Sequence, residues 1–203
     1  MITLNINAQL IRAAQANQAK KDIIYYLCGI LLSTKGDVVG TNGHTLFHAN
    51  HNWADCDTLP NDVIINIDGN IPASARSVRI ELPEALDTSL TGTLTTDGGK
   101  MFKVELVDGK YPDFKRVIPE RLSKENLYSN AIAVDASLLA KTEKTFGKNS
   151  SVIIYHRGVS DALRVECDTE IGVLVIMPLS SNRVIIDDHL PLEAKATSAA
   201  KAA

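Results

Sequence analysis

The chain has 203 residues, enough for one large or two small domains that each bury a core, which excludes a peptide or a fibre. Apolar residues make up 45% and charged ones 22%, the profile of a soluble globular protein, and no run approaches the roughly 20 apolar residues of a membrane span. A formal net charge of -3 excludes a uniformly basic nucleic-acid binder, although it permits a basic lining on an acidic body.

Met1 to Leu10 shows no basic region followed by an apolar run, so the cytoplasm is the expected location. Strand-like runs then dominate. The first set is Ile2 to Ile6, Ile23 to Leu32, Asp37 to Gly40 and Thr45 to Ala49, with a helix from about Ala8 to Lys20 that Asn7 is placed to cap. The second set is Val63 to Ile67, Val78 to Leu82, Gly92 to Thr96 and Met101 to Val107, with a short helix expected over Pro72 to Ser77, proline being tolerated in a first turn. The third set is Ala131 to Val134, Val152 to His156, Ala162 to Cys167 and Gly172 to Met177. Its helix is expected over Ala136 to Phe146, with Asp135 as cap and Gly147 as stop.

The fold class expected is therefore α+β, with one unit of strand, helix and three strands beginning near residues 2, 61 and 130. Residues 1–118 read as one complete domain of two such units and residues 119–187 as half of another. Val184 to Ile186 is a candidate edge strand, and the small, polar, Lys-dotted end, residues 188–203, is expected to be a disordered tail. The three cysteines, Cys28, Cys56 and Cys167, are scattered and odd in number, and two lie in strand-like runs, so buried free thiols are expected.

The most specific stretch is Val107 to Pro119, V-D-G-K-Y-P-D-F-K-R-V-I-P. Asp108-Gly109 signals a turn closing a strand, and Pro112 holds the next residues extended. This segment resembles the connector between the second and third domains of the bacterial sliding clamp, the beta subunit of DNA polymerase III. Tyr25-Tyr26-Leu27-Cys28-Gly29 is similar to the clamp's Y-Y-L-N-G strand, Thr41-Asn42-Gly43-His44-Thr45-Leu46 to its T-D-G-H-R-L turn, and Val175-Ile176-Met177-Pro178 to its V-V-M-P ending. Asn42 replaces the usual Asp, and Thr45 stands where Arg is common.

The resemblance implies a DNA-clamp fold whose helices line one face, and a shortened member of the family. Clamp domains hold two units each and a ring holds twelve, so three units per chain imply four chains. The expected assembly is a homotetrameric ring with head-to-tail contacts, since only a rotation that closes avoids filaments. It also implies two working surfaces. Lys141, Lys144 and Lys148 recur on one side of the third helix, with Leu139, Thr142 and Phe146 opposite; Arg12, Lys20, Lys21 and Arg76 extend that basic set from the first two helices. Such residues suit sequence-independent, salt-screened contact with duplex DNA. The partner-peptide groove of the family carries over onto Leu27, Thr41, Gly43, His44 and Leu46, onto Pro112, Arg116 and Val117, and onto Val159, Val175, Met177, Pro178 and Leu179. Its implied ligands are DNA polymerase and other proteins carrying clamp-binding motifs, with a clamp loader as a further partner.

A competing reading starts from His44, His48, His51 and Cys56 as zinc ligands. In a strand, side chains four apart stand about 13 Å from each other, so His44 and His48 do not converge. No Gly-x-Ser-x-Gly, phosphate-binding loop or Cys-x-x-Cys is present, so neither an enzyme nor a cofactor is expected. A binding decoy that keeps the groove without encircling DNA remains the alternative to a clamp.

Overall fold

The computed structural model describes residues 1–51, 59–119, 132, 134–157, 161–168 and 171–179. Cys56, Val159, the candidate edge strand Val184 to Ile186 and the expected tail lie outside the described residues, as do two of the four residues of the strand expected over 131–134.

β1 (Ile2–Asn7) alternates buried and exposed residues and runs straight into α1 (Ala8–Asn17), where the Asn7 side chain accepts a hydrogen bond from the Gln9 N–H at 2.8 Å. β2 (Ile30–Leu32), β3 (Asp37–Thr41) and β4 (Thr45–Asn50) follow as an antiparallel meander. β5 (Val63–Ile67) leads to a second meander of β6 (Ser77–Leu82), β7 (Thr91–Thr96) and β8 (Met101–Val107). After the connector come α2 (Ala136–Leu139), α3 (Lys141–Phe146) and a third meander of β9 (Val152–Tyr155), β10 (Leu163–Cys167) and β11 (Val173–Ile176).

These strands join in one sheet of order β1-β6-β7-β8-β5-β2-β3-β4-β11-β10-β9. Two pairings tie the first two meanders together by exchange: β1 lies on β6, with Leu4 opposite Ile80, and β5 lies on β2, with Ile65 opposite Ile30. α1 and α3 cover one face of the sheet. α1 sits unusually low over β3 because Gly40 has no side chain: a Cβ there would stand 2.2 Å from the Ala14 carbonyl oxygen. The opposite face of β2, β3, β4, β5 and β11 is covered by the connector.

Three expectations change. The strand expected over Ile23 to Leu32 is a 3₁₀ turn, Tyr25–Cys28, followed by the short β2. The turn forms because the Leu27 N–H bonds the Ile24 carbonyl, while the Leu27 carbonyl accepts from Ala19 at the end of α1. The helix expected over Pro72 to Ser77 is a loop. The Arg12 guanidinium takes the Pro72 and Ala75 carbonyls at 2.9 and 2.8 Å, and Ser77 is already paired with Asn7 in the sheet. The second unit thus has its strands without a helix. The helix expected over Ala136 to Phe146 is two helices meeting at Ala140, whose N–H is shared between the Ala136 and Leu138 carbonyls. Cys167 is buried as expected, whereas Cys28 is only half-buried.

A candidate peptide groove and a basic helix face

The connector is held against the sheet by side chains spaced three and four apart, Tyr111, Phe114 and Ile118. Phe114 sits at the centre of a cluster with Leu31, Val39, Leu46, Ile64 and Val175, flanked by Tyr26, Tyr111 and Ile118. The Tyr111 hydroxyl lies 3.4 Å from the Val39 carbonyl, and burial pushes its phenol well above the usual range. Lys115 reaches 3.2 Å from the Asp37 carboxylate. Residues 114–117 thereby form a 3₁₀ turn that leaves Val117 exposed beside Pro112.

The turn between β3 and β4 makes the facing wall. Gly43 adopts φ of +81°, a conformation that side chains rarely take, and the Asn42 Oδ1 accepts from the His44 and Thr45 N–H groups at 3.0 and 2.9 Å. An Asp oxygen would accept the same bonds, so the Asn-for-Asp departure leaves the turn intact. The Met177 N–H donates to the His44 carbonyl at 3.1 Å, which fastens the end of β11 to this turn.

Between these walls lies a cavity of about 220 Å³ with an almost wholly apolar lining. Nine of the residues named from sequence line it: Leu27, Thr41, Gly43, His44, Leu46, Pro112, Val117, Val175 and Met177. Arg116 is exposed on the connector without lining it, and Pro178 and Leu179 lie just past Met177 outside the lining. Thr45, Asp113 and Phe114 also line the cavity and were missed. For Phe114 the signal was available, because it is the apolar residue at the middle of the connector.

The basic residues separate into two groups. Lys20, Lys21, Arg76, Lys144 and Lys148 are exposed. Arg12 is not a free cation on that face: its head is bonded to the Pro72 and Ala75 carbonyls, and burial lowers its pKa against the opposing pull of Asp97. Lys141 is half-buried, donating to the Thr45 Oγ1 at 2.9 Å, and its pKa is lowered by burial and then by repulsion from Lys144 and Lys20. Lys141, at the start of α3, thus feels the charge of Lys144 on its own helix and of Lys20 beyond the end of α1. Behind them Thr145 and Phe146 are buried, whereas Thr142 and Leu139 are only half-buried.

The histidines have separate partners: His48 bonds Asp37 at 2.9 Å, His51 bonds the Asn5 carbonyl at 2.9 Å, and His44 is exposed in its turn. Among the described residues, no three His, Cys, Asp or Glu side chains gather as a metal would require. Among the same residues, no helix is long and apolar enough to cross a membrane.

Solved structures share this architecture. The DNA polymerase III subunit beta of Pseudomonas aeruginosa superposes with a TM-score of 0.60 at 21% identity, over 89% of this chain and 67% of that one. The beta subunit of Thermotoga maritima does so with a TM-score of 0.55 at 12% identity, over 89% and 66%. The chain has the sliding-clamp fold. Its sequence also resembles the curated clamps: it is 32% identical over 125 residues to the beta sliding clamp of Escherichia coli K12, and 29% identical over 118 residues to that of Vibrio cholerae. Each match takes in 57% of this chain and 32% of the relative, so the matched stretch spans about a third of those clamps' length. No protein-family model matches the chain.

Proposed function

We propose that this protein is a DNA sliding clamp, a processivity factor that encircles duplex DNA and tethers a polymerase or other replication and repair proteins through the connector groove. The observation that carries this reading is the 220 Å³ apolar cavity, because nine residues from four separate segments, each named from a clamp motif, converge on it. Its Leu, Val and Met walls suit a short apolar peptide motif, with the exposed Met177 able to adapt to different side chains. The protein acts in the cytoplasm as a tether and catalyses nothing itself. Residues 1–118 form its complete domain and residues 119–187 a half domain, so four chains supply twelve units to a closed ring, with a loader as the agent of opening.

Lys20, Lys141 and Lys144 are the core of the DNA-facing surface, with Lys21, Arg76 and Lys148 at its margins. Phosphate contacts of this kind hold without fixing position, which suits sliding. A second reading, a decoy that occupies clamp partners without enclosing DNA, is favoured by two observations: the second unit lacks a helix and the Arg12 head is used inside the fold.

The test is binding of a fluorescent polymerase-type peptide to the wild type, Leu46→Asp and Met177→Asp. Both substitutions are expected to abolish binding by placing a carboxylate against an apolar wall. Unchanged affinity in both rejects the groove. Retention on nicked circular DNA with loss on linearised DNA separates the clamp from the decoy.

A further inference from the structure

The start of β4 lies between the two candidate surfaces. Thr45 and Leu46 are consecutive in this strand, so their side chains point to opposite faces of the sheet. Leu46 packs with Phe114 and Val39 under the connector and lines the groove. Thr45 is buried on the other face, where the Lys141 ammonium reaches it from α3 and donates to its Oγ1 at 2.9 Å.

An ammonium can only donate, so at this contact the Thr45 oxygen is the acceptor and its hydroxyl hydrogen is given elsewhere. Asn42 Oδ1 takes that hydrogen, at 3.2 Å. The same Oδ1 accepts from the His44 and Thr45 N–H groups at 3.0 and 2.9 Å, the bonds that shape the turn in the groove wall. The bonds therefore run in one direction, from Lys141 through Thr45 to Asn42, and each donor polarises the next. Without the ammonium, the hydroxyl hydrogen is no longer directed at Asn42.

The outer end of this chain of bonds lies on the basic face. Lys141 is half-buried, and the charges of Lys144 and Lys20, both exposed, act against its own. A phosphate beside Lys144 and Lys20 offsets that repulsion, which favours the charged form of Lys141 and with it the bond to Thr45.

We infer that Lys141 is a positioning residue of the groove, through which a phosphate backbone lying on Lys20 and Lys144 tightens the binding of peptide. The inference rests on the clamp reading of the two surfaces. Coupling between binding sites is reciprocal, so peptide in the groove strengthens the hold on DNA by the same factor. A polymerase is then held most firmly by a clamp that already carries DNA.

The test compares the wild type, Lys141→Met, Thr45→Val and Thr45→Ser. Affinity for a fluorescent polymerase-type peptide is measured at low salt with and without a saturating short DNA duplex, together with hydrogen exchange of the His44 and Thr45 amides. In the wild type the duplex is expected to raise peptide affinity about fivefold or more and to slow exchange at both amides. Thr45→Ser keeps the hydroxyl and is expected to respond as the wild type does. Lys141→Met and Thr45→Val are expected to bind peptide equally with and without the duplex. A merely structural role for Lys141 would weaken both affinities and leave their ratio unchanged in Lys141→Met, which overturns the inference. Wild-type peptide binding and amide exchange that both ignore the duplex also overturn it, while leaving the groove reading in place. Slowed amides in a protein that binds no peptide reject the groove reading and uphold the link from Lys141 to the turn.

Discussion

Lys115 Nζ lies 3.2 Å from Asp37 Oδ2, so the connector is tied by charge to the strand it crosses. Burial alone would raise the Asp37 pKa; donors from His48, Asn50, Ser33 and Lys115 outweigh it and hold the carboxyl at about 2. The folded value lies below the ordinary 3.8, so the stabilisation is complete above pH 4 and is lost as pH falls toward 2. The loss amounts to at most about 2 kcal/mol. Urea unfolding at several pH values is expected to show this slope in the wild type and a flatter one in Asp37→Asn. Equal slopes would mean that the carboxylate is no better held in the fold than in the unfolded chain.

The proposed DNA contact of the basic cluster predicts a salt signature. Each phosphate contact releases about one counterion, so replacing Lys144 with Ala is expected to lower the slope of log affinity against log salt by about 1, with no change in sequence preference. Arg12→Ala is expected to leave the slope unchanged, since its guanidinium is committed to two loop carbonyls, and to destabilise the fold instead. DNA-binding isotherms from low to physiological salt distinguish the two residues. A slope change in Arg12→Ala with none in Lys144→Ala would reverse the assignment.

Most of the strand pattern was legible in the sequence because alternation reports a strand with one buried face, as in Met101–Val107 and Ile2–Asn7. The nine convergent groove residues were legible for a different reason: they came from the resemblance of four short motifs, around Leu27, Asn42-Gly43, Pro112 and Met177, to a known family, and not from periodicity. What was not legible depended on tertiary partners. The apolar run Ile23 to Leu32 reads as one strand, but a 3₁₀ turn wins because Leu27 bonds back to Ala19. Pro72 to Ser77 has a permissible helix start, and nothing local reveals that Arg12, about 60 residues away, takes its carbonyls. Helical periodicity likewise gave Lys141 the same exposure as Lys144, because a helical wheel does not show that Thr45 lies across from only one of them.

Gly40 is a test of how closely α1 must approach the sheet. A methyl group there would stand 2.2 Å from the Ala14 oxygen and 2.7 Å from its carbonyl carbon, both backbone atoms that no rotamer change can move. Gly40→Ala is therefore expected to lift α1 and cost roughly 3 kcal/mol, at the upper end of overpacking. Thermal unfolding measures it. A variant with unchanged stability would show that the helix has room to shift.

Asn17 joins α1 to α3. It is fully buried at the end of α1, and its Nδ2 donates to the Thr145 Oγ1 of α3 at 2.8 Å and to the Ala13 carbonyl at 2.9 Å, while its Oδ1 has no partner among the described residues. Thr145→Val removes one acceptor but leaves the Ala13 bond, so a cost of about 1 kcal/mol is expected. Asn17→Leu strands the buried Thr145 hydroxyl but also removes an unpaired acceptor, so its cost should be similarly small. The double variant makes both sides apolar in nearly the same shape and is expected to be close to neutral, giving a favourable coupling of about 1–2 kcal/mol in the double-mutant cycle. Additive losses in the cycle would mean that the two side chains do not interact, and that apolar packing around Phe146 alone holds α3 against α1.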